Sequence, residues 1–354
     1  MEKLKIAQVP PLIESVPPKG YGGTERVVSL ITEELVKRGH EVTLFASADS
    51  VTDANLIPIC PKGLRQYSAN VDSLAYHFVQ LEAVRKKASG FDVIHFHNDY
   101  IHFPVSRMMN YAHITTLHGR LDTPGLSPLY KKFSDMPVVS ISDNQRVPLP
   151  HAYWTSTIYH GLPLDMYKPG KGDGGYLAFL GRISVEKRPD RAIEIARKSG
   201  MPLKIAAKID NADHDYYESI KNLFDHPLIE FVGEIGEEEK QEFLGNASAL
   251  LFPIDWPEPF GLVMIEAMAC GTPVIAFNSG SVPEVIDEGV TGYVVTSING
   301  AVDAVLNIPL INRKECRRRF EERFDVRIMA DHYENIYSRV IEIKKHRTHS
   351  LNLS

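Results

Sequence analysis

Two parallel-sheet α/β domains, one following the other, are what this sequence predicts, and three observations predict them. Short, almost wholly apolar runs rich in β-branched residues alternate with helical patterns through most of the chain. A strand that is apolar on both faces needs helices above and below it, which is the signature of a parallel sheet. The alternation runs twice, interrupted at 161–175 by the Gly-, Pro- and Lys-rich stretch GLPLDMYKPGKGDGG, which reads as a linker. With 354 residues, 44% of them hydrophobic, the chain is long enough for two cores.

The first series places strands at 4–9, 41–46, 92–96, 113–117, 137–142 and 155–159. Its first helix follows the first strand: Thr24 can cap it, Val27, Val28, Ile31, Leu35 and Val36 form one apolar stripe, Arg38 stands in the last turn and Gly39 ends it. The second series places strands at 176–180, 203–209, 229–232, 249–252, 274–277 and 293–295, with helical patterns between them. From 325 to about 345 the composition is helical with no strand after it, so this helix is expected to pack back on the N-terminal domain. The expected organisation is a Rossmann-like domain at 1–165, a second at 166–325, and the helix within 326–354. In open sheets of this kind ligands bind beyond the carboxyl ends of the strands, so two such sheets facing across a cleft share one site.

Composition excludes several partners. The net charge of −6 offers no global positive field for nucleic acid or an anionic bilayer. No stretch approaches the roughly 18 apolar residues of a membrane span, and the opening MEKLKIAQVP lacks the apolar core of a signal peptide, so a cytoplasmic protein is expected, with peripheral membrane association left open. Cys60, Cys270 and Cys316 are odd in number and scattered, which suits neither a disulfide framework nor a cysteine zinc site.

Two segments carry chemistry. In Glu258-Pro-Phe-Gly261-Leu262-Val263-Met-Ile-Glu266 a strand gives way to a helix that is apolar on every side except at Glu266. A lone carboxylate buried there is costly without partners, and a sugar diol offers two O–H donors. Glu258 stands ahead of the helix, and the free N–H groups of Gly261, Leu262 and Val263 form an anion site suited to a diphosphate. The alternative is a solvated Glu258 and a Glu266 paired with a buried arginine. In Gly181-Arg182-Ile-Ser-Val-Glu186-Lys187-Arg188-Pro189, Arg182 and Lys187 stand where a strand meets a loop, as donor-only cations able to neutralise a departing phosphate. Their alternative is a surface loop salt-bridged to Glu186 or Asp190.

The Gly181-Arg182…Glu186-Lys187 and Glu258-x7-Glu266 pairing resembles the retaining glycosyltransferases of family 4, which have the GT-B fold. Further blocks stand where that family has similar ones: Gly20-Tyr-Gly22-Gly23-Thr24, Asp92-Val-Ile-His95-Phe-His97, Thr116-Leu-His118-Gly119, Ser140-Ile-Ser142, Gly161-Leu-Pro and Gly280-Ser-Val-Pro283-Glu284. The resemblance implies transfer of a hexose from a nucleotide-sugar donor, UDP-glucose foremost, with no metal and no cofactor. Arg182 and Lys187 would hold the diphosphate, Glu266 the ribose hydroxyls and Glu258 hydroxyls of the sugar. Gly22 and Gly23 would approach the phosphates, His118 would orient the donor sugar, and the base would rest near Lys208 and Val232. No covalent nucleophile is implied; the leaving phosphate takes the acceptor's proton while the protein positions and stabilises.

Other signals are weaker. Gly20-x-Gly22 with Asp49 outlines a dinucleotide fingerprint, but Glu25 replaces the third glycine and the strand ends ten residues too early. Asp213-His-Asp215 outlines a metal motif, yet its polar surroundings suit a helix cap better. His95 and His97 share a strand face and could be ligands; His97 and Asn98 are also candidates for touching the acceptor. The Lys344-Lys345-His-Arg347 cluster reads as a solvated helix end, and Trp256 as a wall of the sugar pocket. A sugar-nucleotide epimerase and a non-catalytic nucleotide-sugar-binding protein remain as alternatives. Acceptor identity, which could be a glycan, a lipid-linked or a small molecule, and oligomeric state are not encoded legibly.

Overall fold

The structure is a computed structural model that describes residues 2–20, 22–67 and 71–351, the side chains of 347–351 excepted. Tyr21 of the glycine-rich block and the Arg347 side chain of the C-terminal cluster therefore lie outside the described residues. The chain divides into two compact units, Met1–Gly161 together with Val326–Ser354, and Leu162–Asp325.

Unit 1 is built on a sheet of seven strands among the described residues: β1 (Lys5–Val9), β2 (Glu41–Ala46), β3 (Asn55–Pro58), β4 (Val93–Phe96), β5 (His113–Thr116), β6 (Pro137–Ser140) and β7 (Tyr153–Thr157), in the order β3-β2-β1-β4-β5-β6-β7. Every pairing is parallel. The central strands β1 and β4 are buried along nearly their whole length, as their apolar runs require. β3 was not expected: Asn-Leu-Ile-Pro is short and ends in proline, which an edge position beside β2 tolerates because one side needs no partner.

The Gly23–Lys37 helix buries Val27, Val28, Ile31 and Leu35. Thr24 does not cap it. The helix starts two residues earlier, at Gly23, Gly22 is the capping position and no side chain caps it, so Thr24 lies inside the first turn. The C-terminal helix, Val326–Leu351, belongs to unit 1 and packs on the Gly23–Lys37 helix, β4 and β5. Tyr333 and Tyr337 are fully buried there, and Arg38 reaches Asp331 and Glu334 at 2.6 Å each while His40 meets Glu334 at 2.6 Å. Among the described residues no helix is long and apolar enough to cross a membrane.

Unit 2 carries β8 (Leu177–Arg182), β9 (Leu203–Lys208), β10 (Ile229–Gly233), β11 (Ala249–Phe252), β12 (Val274–Phe277) and β13 (Gly292–Val295), again all parallel, in the order β10-β9-β8-β11-β12-β13. Leu177, Phe179, Ile193, Ile205, Leu251 and Ile275 stand in its core. The 161–175 stretch is not a free linker. The Gly170, Gly172 and Gly174 N–H groups donate to Cys270, Gly245 and Asn246 at 2.9–3.0 Å, and a Cβ at Gly170 would stand 2.1 Å from the Gly245 oxygen. The glycines serve close backbone approach rather than slack.

Candidate functional site

The carboxyl ends of β8, β9 and β11 bring the predicted donor residues of unit 2 to one edge of its sheet. Arg182 is the last residue of β8 and sits in register with Lys208, the last of β9. The loop after β8 turns tightly: the Lys187 and Arg188 N–H groups both donate to the Ser184 carbonyl, Arg188 adopts a left-handed φ of 54°, and Pro189 opens the next helix. That loop is stitched to the one after β11, because the Asp255 N–H donates to Glu186 O at 2.9 Å and Arg188 pairs with Asp255 at 2.7 Å.

These stitches place Lys187 against Glu258. The two side chains form a direct ion pair, and Trp256 Nε1–H donates to the same carboxylate at 3.0 Å. The ammonium also lies 5.4 Å from the Phe252 ring and 5.3 Å from that of Trp256, so aromatic faces share in holding the cation. Glu258 is only 8% exposed, which answers the solvated reading of it. Gly261 caps the Leu262–Ala269 helix with φ 79°, and a Cβ there would meet Met264, Phe252 and Glu258 at 2.9–3.4 Å. Leu262 and Val263 make the first turn with no side-chain cap, so their N–H groups start a helix with its positive end open.

Glu266, 3% exposed, is matched by Lys240 Nζ at 3.1 Å. Arg182 lies among three carboxylates, Asp213 at 3.2 Å, Glu186 at 3.7 Å and Asp210 at 3.8 Å, while Lys208 takes Asp210 at 2.9 Å. Asp213 stands at the start of the helix that begins at His214, as its setting suggested, but its carboxylate faces a guanidinium and makes no capping hydrogen bond. Val232 lies on the edge strand β10, 43% exposed.

Sequence reasoning missed the supports. Lys240 stands in Glu237-Glu-Glu-Lys240, a run indistinguishable from a solvated helix face. Gly280, at φ 59°, lies against the Glu258 backbone, where a Cβ would be 2.3 Å from its nitrogen, and the Ser281 N–H donates to the Glu258 carbonyl at 2.9 Å. Ser279 Oγ–H donates to Trp256 O at 2.7 Å and Ser281 Oγ–H to Phe260 O at 2.8 Å. The Gly280-Ser-Val-Pro283-Glu284 block is thus the clamp on the Glu258 loop.

In unit 1, Gly22 and Gly23 start the first helix, and a Cβ at Gly22 would meet Pro18 at 2.8 Å. His97 follows β4 and His118 follows β5, 2.9 Å apart through His97 Nδ1 and His118 Nε2. Gln8 Oε1 accepts from His97 Nε2–H at 2.8 Å, so His97 Nδ1 is an acceptor and His118 Nε2 carries the proton. His118 Nδ1 is left as a bare acceptor with no hydrogen-bond partner among the described residues. Both nitrogens of His97 are used within the protein. Burial takes the His118 pKa from 6.5 down to about 3 and pushes those of His95 and His97 well below the ordinary histidine value, so the cluster is neutral. His95 is no ligand, held between Tyr337 OH and Thr116 Oγ1 at 2.8 Å each. His97, Asn98 and His118 line a hollow of about 280 Å³ together with Ile13, Thr24, His77 and Asp99. Burial raises the Asp99 carboxyl to about 6.

The family model described as Glycosyltransferase Family 4 matches residues 21–142, and that described as Glycosyl transferases group 1 matches 166–323. The D-inositol 3-phosphate glycosyltransferase of Mycolicibacterium smegmatis is 26% identical over 77% of this chain and 75% of its own. Among solved structures, the sucrose-phosphate synthase of Thermosynechococcus elongatus superposes with a TM-score of 0.80 at 18% identity, over 96% of this chain and 100% of that one. Anabaena HepE in complex with UDP and glucose does so with 0.74 at 16% identity, over 95% and 100%. With two family models matched in order along most of its length and the GT-B fold of such neighbours, the chain belongs to the family 4 glycosyltransferases and is an enzyme of glycosyl transfer.

Proposed function

We propose that the enzyme is a retaining hexosyltransferase that takes its sugar from a nucleotide-sugar donor, UDP-glucose foremost, and needs no metal. The observation that carries the reading is the Lys187–Glu258 pair under Trp256, beside the open start of the Leu262–Ala269 helix. Each member of that pair holds a place for part of the donor. A diphosphate draws Lys187 and Arg182 away from their carboxylates, and Glu258 is then free to accept hydroxyl protons of the sugar. The helix start adds N–H donors from Leu262 and Val263 at the same point. Glu266 on Lys240 has the buried carboxylate for a ribose diol, Lys208 and Val232 flank the base, and Gly22 and Gly23 let backbone approach the phosphates. His118 Nε2–H is committed to His97, so it is Nδ1 that accepts from a donor-sugar hydroxyl. The bound UDP and glucose of Anabaena HepE favour that donor. The acceptor's proton passes to the leaving phosphate oxygen, so no side chain acts as nucleophile.

The test is calorimetry against a panel of nucleotide sugars in EDTA, followed by NMR of the product's anomeric configuration with cell extract as acceptor source. Binding of UDP-glucose, turnover indifferent to EDTA and a retained anomer are expected. Failure to bind any nucleotide sugar, or an inverted product, would end the reading.

A further inference from the structure

The His118 side chain has to be fixed in two respects, the plane of its ring and the position of its one proton. His160 holds the plane, stacking on it with ring centroids 5.3 Å apart and 18° between the planes. The proton is a separate matter. A neutral imidazole has two tautomers, and which nitrogen is bare depends on the hydrogen bond that the other one makes.

A buried chain of hydrogen bonds runs from His118 to the C-terminal helix. His118 Nε2–H donates to His97 Nδ1 at 2.9 Å, and His97 Nε2–H to Gln8 Oε1 at 2.8 Å. The other end of the Gln8 amide, Nε2, donates to Tyr337 OH at 3.4 Å. With its oxygen taken, Tyr337 gives its own proton to His95 Nδ1, and His95 Nε2–H donates to Thr116 Oγ1, at 2.8 Å each. Tyr333 OH stands 2.9 Å beyond, on Thr116. Gln8, His95, Thr116, Tyr333 and Tyr337 are 0% exposed and His97 is 2% exposed, so these groups must satisfy one another.

In such a chain each group hands on the direction it receives, so reversing one bond reverses its neighbours. Among these groups Gln8 has a special place. A hydroxyl or an imidazole exchanges donor and acceptor by moving a hydrogen, whereas an amide must turn its heavy atoms over. Turned over, Gln8 would donate to His97 Nε2, His97 Nδ1–H would donate to His118 Nε2, and His118 would carry its proton on Nδ1. The phenol would then donate to the amide oxygen, a bond that favours about 2.7 Å, and the 3.4 Å separation speaks against it. Gln8 therefore sets one direction, and His118 Nδ1 is the bare end of it.

We propose that Gln8, held by Tyr337, is a positioning residue that fixes the tautomer of His118, so that Nδ1 presents a lone pair to the ligand. The proposal rests on the reading of His118 Nδ1 as the acceptor of a donor-sugar hydroxyl. In the other tautomer that hydroxyl meets an N–H and must turn its own proton elsewhere. Through Tyr337 the C-terminal helix takes part in holding the donor sugar.

The test is NMR on the full chain with histidine labelled in its ring nitrogens, whose chemical shifts separate the two tautomers; His118→Gln identifies the signals. The wild type is expected to show Nε2 protonated and Nδ1 bare. Gln8→Met keeps the bulk and removes both amide bonds, and Tyr337→Phe removes the oxygen that holds the amide; each is expected to give a mixture of tautomers. A residue of purely structural importance would leave that signature alone. Circular dichroism confirms the fold of each variant, and if Gln8→Met does not fold, the wild-type spectrum and Tyr337→Phe still decide. Nδ1 protonated in the wild type, or a tautomer unmoved in every folded variant, overturns the proposal. Calorimetry on the same samples compares UDP-glucose with UDP. The advantage of UDP-glucose should fall by roughly three- to tenfold in the variants, the net worth of one hydrogen bond, with UDP itself unchanged. A tautomer that moves while this advantage stays strikes the donor-sugar reading of His118 and leaves the relay standing.

Discussion

Lys187 is held by one carboxylate and two aromatic rings, and both it and Glu258 are nearly shut off from water. Removing either partner strands the other's charge, which in buried pairs costs about 3–5 kcal/mol. Lys187→Ala should therefore lower stability as well as lower kcat by roughly two to three orders of magnitude, the usual loss for one preorganised charge stabiliser. Arg182 is a quarter exposed, with Asp213, Asp210 and Glu186 about it, so Arg182→Ala should show the kcat loss with a much smaller change in melting temperature. Steady-state kinetics and thermal melts on the two variants check both halves, and wild-type turnover in either would contradict the assigned role. At His118 burial depresses the pKa from 6.5 to about 3. The unfolded chain then binds the extra proton first, so this residue's contribution is whole above pH 6.5 and is lost as pH falls from there toward 3. His118→Gln should flatten that part of the stability profile, measured as melting temperature between pH 7 and pH 4.

Strands read well from this chain because a parallel strand covered on both faces is a bare apolar run; β2, β11 and β12 begin and end where their residues say. The elements that misled did so for identifiable reasons. β3 carries a proline and lies at an edge. The glycines of 161–175 look like slack until the close approach to Gly245 is seen. Glu266 stood out because a carboxylate in an apolar helix is anomalous, and Glu258 because it stands just ahead of that helix; both are buried with a lysine partner. Their supports, Lys240 and Gly280, did not stand out, since a charge partner or a packed glycine leaves no periodic trace. The loop holding Gly280 gives a test at this scale. Gly280→Ala puts a methyl group into the Glu258 backbone at a positive φ, and should cost about 1–3 kcal/mol while weakening nucleotide-sugar binding. Calorimetry and a melt on the one variant decide it, and an unchanged affinity would show that the clamp does not set the Glu258 position.

At the scale of the molecule, unit 1 is made from two separate pieces of chain. Its sheet comes from the first 161 residues, yet Tyr333 and Tyr337, fully buried against β4 and β5, come from the C-terminal helix, together with Glu334, which binds both Arg38 and His40. Leaving that helix out would uncover the His95 and Thr116 hydrogen bonds. A chain cut after 325 should bind a hydrophobic dye and melt unit 1 well below the intact protein, with a peptide of 326–351 restoring part of the loss; an unchanged melt would show the helix to be dispensable. The same division sets the order of events on the ribosome. Every residue of unit 2 emerges before the helix that completes unit 1, so the nascent chain carries a first sheet not yet covered by that helix, its tyrosine-sized gap open, while the second unit can already close. The stage of synthesis at which this enzyme most needs a chaperone is thus the interval between residue 161 and the release of its final turns.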